Sequence, residues 1–121
     1  MKLIPRILFA LLVIVPTQLT PITQVQAQQA TQTIDIHAHR FSFEPSEITL
    51  KRGETVKLRL DSEDVTHRLV VPDLGINQEI KKGKPVEVTV KPDAVGDFHG
   101  QCGQFCGSGH GSMLFVVHVK E

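Results

Sequence analysis

The chain has 121 residues, enough for one domain, and its 13 basic and 13 acidic side chains cancel. No basic block and no interleaving of basic with aromatic residues argues for nucleic acid. Trp and Tyr are absent, so there is no stacking platform beyond six Phe.

Lys2 and Arg6 precede an unbroken apolar run, Ile7 to Val15, which Pro16 closes. The run is far shorter than the ~20 residues that span a bilayer. Val25-Gln26-Ala27 places small residues at the two positions a signal peptidase reads. Residues 1–27 are therefore expected to be a cleaved secretory signal, with an uncleaved N-terminal anchor as the alternative. No cysteine closely follows the apolar run, which argues against a lipid anchor. Cleavage after Ala27 leaves 11 basic and 13 acidic side chains on residues 28–121. A chain of that length can bury roughly 60–65% of its unfolded surface and fold alone. Export would place both cysteines in an oxidising compartment, periplasmic or otherwise extracytoplasmic, where a disulfide is the default expectation.

Residues 28–33 are polar and read as a flexible tail, with a single domain over 34–121. Ile34, Ile36 and Ala38 alternate with Asp35, His37 and His39, the period of a half-buried strand that Phe41 and Phe43 extend. Glu44-Pro45-Ser46 breaks it. Ile48 to Leu50 is a short strand, and Arg52-Gly53 a turn. Val56, Leu58 and Leu60 alternate with charged residues in the clearest strand of the chain. His67 to Val71 is another strand, ended by Pro72-Asp73; Leu74 to Ile80 reads as irregular. Val86, Val88 and Val90 form the next strand, and Gly96 to Gln101 leads into a Gly-rich loop. Leu114 to Val119 is apolar on both faces and is expected to lie centrally in a sheet. No segment has a 3.6-residue period. The pattern predicts an all-β Greek-key sandwich of about seven strands.

The Gly-rich loop carries Cys102-x3-Cys106-x3-His110-x2-Met113, with both cysteines and the one methionine besides the initiator. Two thiolates, an imidazole and a thioether are a soft donor set, which favours copper over magnesium, calcium or manganese. Four arrangements compete. A Cys102–Cys106 disulfide would close so short a loop that it removes little unfolded-state entropy, and it gives no reason for His110 and Met113 to follow. A mononuclear blue-copper site would use Cys106, His110, Met113 and a second histidine, leaving Cys102 without a role. A binuclear site would use both thiolates as bridges, with His110, Met113 and the Gln104 carbonyl among the other ligands. Zinc could take two cysteines and two histidines, but Met113 is then unexplained.

The second imidazole must come from elsewhere. His67 opens an apolar strand, where a polar ring needs a partner. His37, His39 and His118 read as surface histidines; His99, close to the loop in sequence, is a lesser candidate for a ligand or a neighbour of one.

The segment Gly100-Gln101-Cys102-x3-Cys106-Gly107-x2-His110-x2-Met113 resembles the binuclear copper (CuA) motif of cytochrome c oxidase subunit II. Asp64-Val65-Thr66-His67, followed by Val71-Pro72-x-Leu74, resembles that family's first-histidine segment, 35 residues before Cys102. The resemblance implies a cupredoxin fold over about Ile34 to Val119. It also implies two copper ions bridged by Cys102 and Cys106, with His67, His110, Met113 and the Gln104 carbonyl completing the site. Such a centre relays single electrons. The implied function is an exported electron-transfer protein, monomeric, exchanging electrons with a cytochrome c or a terminal oxidase or reductase. It would contribute to oxidase activity rather than catalyse alone. A copper carrier for oxidase assembly would use the same ligands.

Three departures stand out. The oxidase subunits carry transmembrane helices ahead of the copper domain, and here only the short apolar run precedes it. The family's glutamate between the cysteines, which helps bind magnesium, is Gln104, so that magnesium site is not carried over. Its electron-entry tryptophan has no counterpart.

Overall fold

The computed structural model describes residues 31–121 and, ahead of them, Pro16 alone. The expected secretory signal lies outside the described residues. Val56, Leu58 and Leu60 alternate with Lys57 and Arg59, and the strand they form buries the first set and exposes the second. Each large aliphatic side chain so buried stabilises the fold by roughly 1.5–3 kcal/mol, which is why this register dominates.

The described residues form nine strands: β1 (Gln32–His39), β2 (Ser42–Glu44), β3 (Glu47–Lys51), β4 (Val56–Ser62), β5 (His67–Val71), β6 (Ile76–Ile80), β7 (Val86–Val90), β8 (Gly96–Cys102) and β9 (Leu114–Lys120). They form two sheets, ordered β2-β1-β4-β7 and β3-β9-β8-β5-β6. The pairs β1–β4 and β3–β9 are parallel and the others antiparallel. Most neighbours are not consecutive in the chain, as the expected Greek-key sandwich requires. Between the sheets lie Ile36, Ala38, Leu58 and Leu60 from one side and Leu69, Val71, Phe115 and Val117 from the other. Phe43 meets Phe115 edge to face across this layer, with ring centroids 5.7 Å apart.

The strand count exceeds the expected seven for two local reasons. The apolar pattern through Phe41 and Phe43 is not one strand: the chain turns at Arg40–Phe41, and β2 folds back antiparallel on β1, with His39 opposite Ser42. The segment read as irregular contains β6. There Ile76 and Ile80 are buried and the half-buried Gln78 sits between them on the same face, which hides the alternation. β1 begins at Gln32 because its parallel pairing with β4 starts there, Gln32 opposite Val56. β9 does lie inside its sheet, between β3 and β8, but its outer face is open: Leu114 is 58% exposed and Val116 half-buried. No helix among the described residues is long and apolar enough to cross a membrane.

Candidate metal centre

Three adjacent strands of the larger sheet end at one place. β5 starts at His67, β8 stops at Cys102, and β9 starts just after Met113. In the antiparallel β5–β8 pair Leu69 faces Cys102, and the Gly103 N–H donates to the Arg68 carbonyl at 2.9 Å. On the other side Gln101 faces Leu114, and the Cys102 N–H donates to the Met113 carbonyl at 3.0 Å. Strand register alone therefore brings His67, Cys102 and Met113 together on the inward face, each no more than 2% exposed.

The remaining donors come from the loop. Cys106 is buried, its Sγ 3.9 Å from Met113 Sδ and 3.8 Å from His110 Nδ1. Cys102 Sγ lies 3.9 Å from His67 Nδ1, and its thiol donates to the Gln104 carbonyl at 3.2 Å. One Nδ1 or Sγ atom each of His67, Cys102 and Cys106 falls within 4.8 Å of the others, and both cysteines are free. All six residues singled out in the sequence thus line one end of the sandwich, in two chains of contact: His67–Cys102–Gln104 and His110–Cys106–Met113. The short 3₁₀ turn His110–Ser112 shapes the end of the loop, with Met113 N–H donating to the His110 carbonyl. His110 stays half-buried, and Phe105, 76% exposed, lies against it at a centroid distance of 5.9 Å.

Asp64 fixes His67. Its carboxylate, an acceptor only when ionised, takes a hydrogen bond from His67 Nε2 at 2.8 Å. The ring proton is thereby placed on Nε2, and the Nδ1 lone pair faces Cys102, the arrangement a metal-binding imidazole needs. Burial would raise the Asp64 carboxyl. Hydrogen bonds from the Arg40 N–H, from His67 and from the Val65 N–H outweigh that and hold it well below the usual carboxylate range. Burial and the adjacent Cys102 push the Cys106 thiol up. A thiolate here needs a cation beside it, so metal uptake and proton release go together. The donor chemistry of the buried His67–Cys102–Cys106 cluster, soft and low in charge, is that of a copper-binding site.

The other histidines lie elsewhere. His37 pairs with Asp61 at 2.7 Å and His39 with Glu44 at 3.1 Å; both have raised pKa values, His37 through Asp61 and His39 through the Arg40 carbonyl and Glu44. His118 bridges Asp97 and Glu47. His99 points outward from β8, on the face opposite Cys102, beside a groove that Val70, Leu114 and Val116 line. It is neither a ligand nor a neighbour of one. Sequence reasoning did not single out Asp64, Arg40, Phe41 or Phe105 for a role. Asp64 had a local signal, a carboxylate three residues before a buried histidine; the others had none.

A sandwich carrying such a donor cluster between its strand ends is a cupredoxin-like domain, and the family model of that description matches residues 7–115. Within that class, the chain is 30% identical over 97 residues to cytochrome c oxidase subunit 2 of Thermus thermophilus, covering 80% of this chain and 72% of the relative. It is equally identical to a second, longer cytochrome c oxidase subunit 2 of the same species, of which it spans 58%. The chain belongs to the cytochrome c oxidase subunit 2 family. Its fold is shared with the periplasmic domain of subunit II of cytochrome oxidase from Bradyrhizobium japonicum (TM-score 0.70, 19% identity, 79% of this chain and 88% of that one). It is also shared with the metal-binding domain of the Cu(I)-exporting ATPase CopA of Streptococcus pneumoniae D39 (TM-score 0.61, 18% identity, 79% of this chain and 92% of that one).

Proposed function

We propose that this domain is an extracytoplasmic one-electron relay, holding two coppers through His67, Cys102, Gln104, Cys106, His110 and Met113. The observation that supports it is the double pairing at the site: each buried thiol has its own imidazole and its own weak donor, a carbonyl for Cys102 and a thioether for Cys106. A mononuclear centre would leave one such set idle. When bound, two coppers held by these residues would supply the uptake and release of one electron.

The chain's own residues do the rest. Asp64 keeps the proton on Nε2 of His67, so Nδ1 stays a donor in both redox states. The strand ends keep His67, Cys102 and Met113 dry and in place, which limits the reorganisation that accompanies electron transfer. His110, with Phe105 against it, is the ligand edge nearest solvent, where a redox partner would make its approach. That partner is a cytochrome c or the rest of an oxidase or reductase. The near-complete burial of three ligands favours tight retention over copper delivery.

Copper stoichiometry and electron paramagnetic resonance of the reduced, then loaded domain test this. Two coppers per chain with one unpaired electron shared between them are expected. One copper with a four-line hyperfine pattern would replace the proposal with a mononuclear site. Rapid surrender of copper to a competing chelator would point to a carrier.

A further inference from the structure

The two halves of the centre are joined by residues that belong to neither. At the β1–β2 turn the Arg40 N–H donates to Asp64 Oδ2 at 2.7 Å, and Asp64 in turn holds His67. The side chain of the same arginine reaches the other way, and its Nε–H donates to the Cys106 carbonyl at 2.8 Å, across 66 residues of sequence. Next to it, the Phe41 ring lies flat on the loop backbone. A Cβ on Gly107 would fall 2.8 Å from that ring, and one on Gly109 2.4 Å from it. Both positions must therefore be glycine for the ring to seat, and Gly107 also has a φ of +141° that favours glycine. Arg40 and Phe41 thus touch the strand side of the site through Asp64 and the loop side through Cys106, Gly107 and Gly109.

We propose that Arg40 and Phe41 form a clamp that sets the separation of the two ligand groups, and that the Arg40 guanidinium raises the reduction potential of the centre. The first part follows from the contacts. The second follows from Coulomb's law: a fixed positive charge beside a thiolate ligand disfavours the more positive, oxidised centre. The potential argument rests on copper being bound at this site; the clamp does not.

Three variants test it: Arg40→Gln, Arg40→Lys and Phe41→Ala, with Arg59→Gln, an exposed arginine of β4, as control. In the reduced, metal-free protein, backbone amide hydrogen exchange over residues 103–113 should speed up about tenfold in Arg40→Gln and in Phe41→Ala, because the loop loses a tether. Rates equal to the parent's in both would overturn the clamp. In the loaded protein, Arg40→Gln should keep its copper but shift the oxidised-to-reduced ratio about tenfold toward oxidised at fixed poise, equivalent to a fall of about 59 mV for one electron. Arg40→Lys, which keeps the charge, should recover most of that shift, and Arg59→Gln should show none. An unchanged potential in Arg40→Gln, or no recovery with lysine, would overturn the electrostatic role. If the parent binds no copper the proposed function fails, while the exchange rates still decide the clamp.

Discussion

The strand side of the centre and its loop side hold their proposed ligands by different means. His67, Cys102 and Met113 sit at strand ends, where ladder hydrogen bonds to neighbours on both sides locate the backbone. Cys106, His110 and Gln104 sit in a loop of eleven residues between Cys102 and Leu114, and their backbone depends on a short 3₁₀ turn and on the Arg40–Phe41 contacts. The first group is almost fully buried; in the second Cys106 is buried while Gln104 and His110 are half-buried. A relay needs both: a rigid, dry side that keeps geometry constant between redox states, and an exposed edge through which electrons pass.

Breaking the strand side should have the largest effect. Cys102→Ser removes the thiol at the end of β8, and copper content should fall from the two per chain of the proposed centre to one or none by elemental analysis; two coppers in this variant would refute the bridging role. Asp64→Ala strikes the same side less directly. It leaves the buried Nε2–H of His67 without an acceptor, at about 1–3 kcal/mol, and frees the ring to turn. Copper affinity should fall about 10–100-fold in chelator competition, with a matching drop in the urea midpoint. Met113→Leu conserves volume and should cost less than about 1.5 kcal/mol in stability. Most of the copper should remain while the reduction potential moves, measured by spectroelectrochemistry; an unmoved potential would show that the thioether is not a ligand.

The smallest effect sharpens the contrast by lying outside both regions. Asp97, with Glu47, raises the pKa of His118 above its ordinary 6.5. The stability this adds is complete below that value and is lost as pH rises through the raised pKa of the folded state. Urea midpoints taken from mildly acid to mildly alkaline pH should fall more in the parent than in His118→Gln, with copper content equal in the two proteins.

Parts of this molecule could be read directly from the residues. β4, β5 and β7 follow from period-two alternation, because one face of each meets the core. β6 could not be read, since Gln78 shares its inward face with Ile76 and Ile80. The turn at Arg40–Phe41 was hidden for another reason: Phe41 and Phe43 resume an apolar alternation, shifted by one residue from Ile34, Ile36 and Ala38, and the Phe41 ring packs on the loop as well as against the core. Of the histidines, His67 was distinguished by its place at the head of an apolar strand, whereas His99, near the cysteines in sequence, faces the other side of β8.

The sequence by itself determined the donor chemistry. Cys102, Gln104, Cys106, His110 and Met113 are tethered within twelve residues, and any compact fold of so short a Gly-rich segment keeps them within reach of one another. It also determined the class of fold, because alternation fixes which side of each strand is buried. Only the tertiary structure decided how His67 meets Cys102, through the register of β5 on β8, and how Arg40 reaches Cys106. Those contacts join residues 35 and 66 positions apart. Their geometry is set by how strands pair and sheets pack, which no local spacing encodes.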